Sequence, residues 1–295
     1  MLFRSVEINK QSANASKVLG RVLNALANDF DMKLSTLSGG LKDNAIPTDA
    51  EAVVIFSDTD MSDISTPGHA DIPANSAHAS LQDLISKWNQ IIRHECTHTD
   101  PDICITLEPV DLPAATMADT STHTVIDVLM AYPNGVRKMS KDIAGLVQTS
   151  LNLGILSTIK PDDQSTNGMV SFKSSVRSSI GSEKDALLNS LKSLATLAGG
   201  TLTVTGDYPA WEYREDSPLR DLMVKIFKQQ YGKEPVIQAL HAGVECGIFA
   251  SKMPGLDCVS FGPDMDDIHT TNESMNVESV RRTWEYTLEI LKELK

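Results

Sequence analysis

The hydrophobic spacing of the chain switches between helix and strand periods in one order, and that order then repeats. Val18, Leu19, Val22, Leu23 and Leu26 recur three and four apart over 12–28, which predicts a helix with one apolar face. Strands are predicted over 32–37 and 52–56, a helix over 81–93 and a strand over 103–107. The order then returns: a helix over 124–131, strands over 147–156 and 169–177, a helix from Ser182 to Gly199-Gly200, and a strand through Leu202 and Val204. Each half reads helix–strand–strand–helix–strand, a split β-α-β unit short of its first strand. For the first half that strand would precede Met1, so the chain is expected to begin inside a domain.

The pattern changes after Tyr208-Pro209-Ala210-Trp211. Ser217-Pro218 supplies an N-cap and a first-turn proline, and Leu219, Leu222, Met223, Ile226 and Phe227 form an apolar stripe that Gly232 ends. Strands are predicted over 236–240 and 258–261. A last amphipathic helix carries Val277, Val280, Trp284, Leu288 and Leu291. Two strands are few for a sheet flanked by helices, so this segment is expected to need further strands.

A formal net charge of −13 sets the chain against a phosphate backbone and against anionic membranes. No stretch reaches the roughly 20 apolar residues of a membrane span, and residues 1–10 carry no secretory signal. The four cysteines show no CxxC spacing, which suggests reduced thiols and a cytoplasmic protein.

His94-Glu95-Cys96-Thr97-His98 satisfies the HExxH pattern, in which two histidines one turn apart bind zinc and the glutamate activates water. Thr99-Asp100-Pro101-Asp102 follows at once, so the sequence argues for a solvated helix end there instead. His269 lies in a loop with Asp264, Asp266 and Asp267 beyond a predicted strand, where α/β folds place ligands. In His241–Gly247, Glu245 has the chemistry to hold a substrate amine, and glycines let backbone amides approach a ligand. Arg177, on the polar face of its strand, can fork onto a carboxylate. No convincing serine or cysteine nucleophile and no phosphate loop stand out. For each of these features a plain structural role is the competing reading.

Six segments, in order and spacing, resemble the aminoacyl-histidine dipeptidase branch of the M20 metallopeptidases. They are Asn44-Ala45-Ile46-Pro47, Pro133-Asn134-Gly135-Val136, Thr149-Ser150-Leu151-Asn152, Tyr208-Pro209-Ala210-Trp211, His241–Gly247, and Phe261-Gly262-Pro263 with His269. The resemblance implies an α/β fold: an α+β lid of two split β-α-β units over 1–207, then the C-terminal part of an α/β zinc-peptidase catalytic domain over 208–295. It implies that His269 is a metal ligand, and that Arg177, Asn44, His241 and Glu245 bind substrate. It also implies a dipeptide substrate, two zinc ions in the intact enzyme, and a homodimer as a possible assembly.

The other metal ligands and the general-base glutamate of that family would lie upstream of Met1. Residues 1–5 stand in place of the family's lid histidine segment. The resemblance therefore leads us to expect an amino-terminally truncated peptidase that retains no catalytic residue, does not keep zinc and is inactive alone. Two other readings compete, a non-catalytic binding or dimerisation module and an HExxH zinc protease.

Overall fold

The computed structural model describes residues 5–57, 76–160, 168–238, 245–268 and 271–294. The chain divides into two units. One comprises Met1–Met139, Val147–Arg177 and Ser182–Val204; the other comprises Ser140–Leu146, Ser178–Gly181 and Thr205–Lys295.

The first unit is a mixed α/β structure on one five-stranded sheet. Its strands are β1 (Met32–Gly39), β2 (Ala50–Phe56), β3 (Gly135–Met139), β4 (Val147–Ile159) and β5 (Met169–Ser178). They run in the order β2-β1-β4-β3, with β5 also paired to β4. Its helices are α1 (Ala15–Asp29), α2 (Ser76–Glu95), α3 (Asp119–Ala131) and α4 (Gly181–Leu197). The apolar face read from the sequence of α1 buries Val22, Leu23 and Leu26 in one core with Leu34 and Leu37 of β1, Leu129 of α3 and Leu151, Leu153 and Leu156 of β4. Such leucines each contribute roughly 1.5–3 kcal/mol by leaving water.

At Ser35 the β1–β2 register slips. There the N–H of Leu34 donates to the Thr122 hydroxyl and its carbonyl accepts from Met117 N–H, so the bulge anchors the start of α3.

Both halves of the sequence repeat therefore feed one sheet, and their predicted last strands do not form. Residues 103–107 are not a strand. The Asn89 side chain bonds both the N–H and the carbonyl of Ile105, at 2.8 and 2.7 Å, and Arg93 donates to the Ile103 carbonyl. Side chains of α2 thus stand where a neighbouring strand would. Leu202 and Val204 are 37% and 49% exposed, too open for a central strand, and form no ladder among the described residues. In turn, β3 escaped the sequence reading. It is five residues long, carries Arg137 and Lys138, and slips register twice against β4, which hides any period of two.

The second unit holds α5 (Pro218–Tyr231), α6 (Glu245–Lys252), α7 (Val277–Glu293) and the two-residue strands β6 (Met265–Asp266) and β7 (Ser274–Met275). Ser217 caps α5 by accepting from Arg220 N–H, and Gly232 ends it at φ 69°. Met223 and Ile226 of α5 pack on Tyr286 and Ile290 of α7, and the Tyr286 hydroxyl donates to the Met223 carbonyl at 2.6 Å. The strands predicted over 236–240 and 258–261 do not form among the described residues; 239–240 lie outside them. Beyond Phe261 the backbone is tied to the start of α7 at Asp264, next to the two-residue β6–β7 ladder. Asp264 N–H donates to the Ser279 hydroxyl, and the Asp264 carbonyl accepts from Asn276 N–H.

Candidate substrate-binding site

Asn44 sits on the loop between β1 and β2, and that loop is fastened to β4. The chain turns at Gly40, whose φ of 70° favours glycine, and crosses β4 at Gly154. A Cβ on Gly154 would lie 2.3 Å from the Asp43 carbonyl oxygen, so only glycine admits the crossing. From β4 the Asn152 amide donates to the carbonyls of Asp43 and Ala45, at 3.2 and 2.7 Å. Asp43 and Ala45, the residues on either side of Asn44, are thereby held, while Asn44 itself is exposed.

The same stretch of β4 contains a fork. Pairing with β3 reaches Leu151, and pairing with β1 begins at Leu156. Between them, the Leu153 N–H donates to the Asn134 side-chain oxygen at 2.9 Å, and the Leu153 carbonyl accepts from the Asn14 amide, also at 2.9 Å. Two asparagines thus satisfy backbone groups that would each cost about 1–3 kcal/mol if left buried and unpaired. Asn14 also caps α1 through Lys17 N–H. A pocket of about 300 Å³ opens beside this network, lined in part by Gln11, Ser12, Ile46, Val136 and Asn152.

Lys17 lies one turn further along α1. Its ammonium donates to the carbonyls of Leu129, Met130 and Tyr132, closing the end of α3. Burial lowers its pKa from 10.5 to about 8. The sequence reading missed both Asn14 and Lys17. A polar residue just before the first apolar turn was the available sign for Asn14, and a glycine inside an apolar strand was the sign for the crossing at Gly154.

Arg177 is half-buried near the end of β5, and its Nε approaches the Ser175 hydroxyl at 3.5 Å. Since β5 pairs with β4, Asn44 and Arg177 both depend on that strand for their placement. Glu245 is exposed in the first turn of α6, in the second unit. His241 and His269 lie outside the described residues.

The HExxH segment does not build a metal site. Helix α2 ends at Glu95, and 96–99 form turns, so His94 and His98 do not share a helix. The Glu95 carboxylate accepts from the two terminal guanidinium nitrogens of Arg21 at 2.6 and 2.9 Å, and this pairing holds it below the usual carboxylate range. Arg21 also stacks over Trp88, 5.2 Å from the ring centre. A glutamate engaged in this way does not serve as a water-activating base.

Among the described residues no three or more His, Cys, Asp or Glu side chains gather to hold a metal ion. A catalytic zinc takes about three protein ligands, so the described residues do not fit the centre implied by the resemblance. Among the same residues, no helix is long and apolar enough to cross a membrane.

Residues 15–293 match the peptidase family M20/M25/M40. The chain belongs to this family. Across 98% of its length this M20 chain is similar to the cytosol non-specific dipeptidase of Escherichia coli (strain K12), with 32% identity over 288 residues that make up 54% of that protein. It is also similar to the crystal structure of aminoacylhistidine dipeptidase from Vibrio alginolyticus, with a TM-score of 0.81 and 31% identity over 95% of this chain and 52% of that one. The M20 chain thus spans about half the length of the relatives it matches.

Proposed function

We propose that this chain is the substrate-holding part of a metal-dependent dipeptidase, and that it does not hydrolyse dipeptides alone. The observation that carries the reading is the 98% of the chain that aligns with a dipeptidase. The geometry agrees with it: Asn44 is displayed from a loop fixed on both sides, and Arg177 stands on a strand hydrogen-bonded to the one that fixes it.

In this reading the Arg177 guanidinium takes the dipeptide's terminal carboxylate in a bidentate fork, and Asn44 donates to the same end of the substrate. Glu245 and His241 take part in binding substrate, the Glu245 carboxylate attracting the peptide's amine. His269 would give one ligand to a divalent metal centre, which in a full-length enzyme of this family would hold two zinc ions and would supply an activated water. The described residues of this chain do not gather that centre, so no bond-breaking step is assigned to them.

The test uses the whole chain, purified in zinc-containing buffer and then desalted. The expected result is less than one zinc ion per chain and no dipeptide turnover. Dipeptide binding followed by NMR should weaken about tenfold or more in Arg177→Ala, as for loss of a charged hydrogen bond. Turnover with tightly held zinc would overturn the inactivity of the chain alone, and unchanged binding by Arg177→Ala would overturn the carboxylate assignment.

A further inference from the structure

The pocket beside the asparagine network has an apolar floor of its own. Ile8, Ile46 and Val147 form a small buried cluster with Val136 packed against it, separate from the main core of the unit. Ile8 comes from a 3-10 helix over Ser5–Lys10, Ile46 from the loop between β1 and β2, and Val136 from β3. Ile8, Ile46 and Val136 line the pocket, whose volume is about 300 Å³. That is the lower end of the roughly 300–1,000 Å³ that small-molecule sites enclose.

The polar wall is fixed in orientation. The Asn134 side-chain oxygen accepts from Leu153 N–H at 2.9 Å and from the Asn14 amide at 3.3 Å, so the NH2 end of the same group is turned away from both donors. Asn134 lines the pocket, and among the described residues its NH2 donates to nothing. The Ser12 hydroxyl and the Gln11 side-chain amide line it too, again without a hydrogen-bond partner among the described residues. Gln11 is held at φ 57°, with its N–H bonded to the Ile8 carbonyl, and strained residues of this kind cluster at ligand sites. No described residue lining the pocket is charged. An ion entering it would leave water without a counter-charge, whereas a neutral carbonyl would find donors.

We propose that this pocket binds a small uncharged carboxamide that carries a short branched aliphatic group. The aliphatic end rests on Ile8, Ile46 and Val136. The ligand carbonyl accepts from the Asn134 NH2 and from the Ser12 hydroxyl, and the ligand N–H donates to the Gln11 side-chain oxygen. Because the Asn134 oxygen is already engaged, its NH2 is set before a ligand arrives, and little ordering is needed on binding. The site uses neither Arg177 nor a metal ion, so it stands apart from the dipeptide reading. Such a group comes either as a free amide or as part of a peptide, and the experiment separates the two.

The experiment titrates the full chain, labelled at isoleucine methyl groups and at nitrogen, with isovaleramide, with N-acetylvaline methylamide and with isovalerate, and follows it by NMR. The expected result is saturable shifts of the Ile8 and Ile46 methyl groups and of the Asn134 side-chain NH2 with at least one of the amides. Isovalerate, which has the shape of isovaleramide but a negative charge, should bind about tenfold or more weakly. Tighter binding of isovaleramide assigns a free amide to the site, and tighter binding of the capped valine assigns a peptide. Ser12→Ala removes no hydrogen bond among the described residues and should weaken the better amide about two- to tenfold. The proposal is overturned if neither amide gives saturable shifts at these residues, or if isovalerate binds as tightly as isovaleramide. Both of these readings come from the unaltered protein, so they hold whatever a variant does.

Discussion

The side-chain amide of Asn14 donates to the carbonyl oxygen of Leu153 across 2.9 Å, joining the first turn of α1 to the middle of β4. The two residues are 139 positions apart, so this bond forms only when both halves of the sheet unit have assembled. The same side chain caps its own helix, and its loss therefore acts at two places.

Asn14→Leu removes a helix cap, about 1 kcal/mol, and leaves the buried Leu153 carbonyl unpaired, about 1–3 kcal/mol. Urea unfolding should show a combined loss of about 2–4 kcal/mol. Asn14→Asp keeps the cap acceptor but has no amide to donate, and should fall between the two. A negligible loss in Asn14→Leu would mean that the fork in the sheet does not need its asparagine.

Gly154→Ala should displace the loop that carries Asn44, because the added carbon would meet the Asp43 backbone at 2.3–2.6 Å. Overpacking of this kind costs about 1–3 kcal/mol. Amide hydrogen exchange should accelerate over 40–45 more than elsewhere in the unit. Equal acceleration throughout would show that the crossing is not where the strain is taken up.

Lys17 gives the stability a pH dependence of known sign. Its ammonium titrates near 8 in the folded chain against an ordinary value of 10.5. Between those values the unfolded chain holds a proton that the folded chain lacks, so unfolding becomes harder as pH rises through the window. Unfolding midpoints of the unaltered chain and of Lys17→Met, compared from pH 8 to 10.5, should diverge in favour of the unaltered chain. A flat or shrinking difference would count against a depressed Lys17.

The helices were the most legible part of the fold. α1, α5 and α7 each carry an apolar stripe and a capping residue in local sequence, and the structure puts an asparagine or serine cap on all three. Strands were legible only where their partners exist. The runs at 103–107 and 202–204 have strand-like composition, yet among the described residues no neighbour takes their hydrogen bonds in a ladder, a fact that no local pattern records. β3 was missed for the opposite reason, because its double register slip erases the alternation that marks a strand. At the site, Asn44 and Arg177 could be chosen from sequence through family resemblance. The asparagines at 14, 134 and 152 act together through contacts more than a hundred positions apart, so spacing alone could not unite them.

The fork at Leu153 also bears on how the protein survives crowding. An apolar strand with vacant backbone groups in mid-sheet is where a foreign strand can insert and begin an aggregate. Here Asn134 and Asn14 already occupy those groups, and the Asp43 backbone lies across the next residue. An invading strand would first have to break bonds from three separate parts of the chain, so the gap that shapes the Asn44 loop is also closed to intruders.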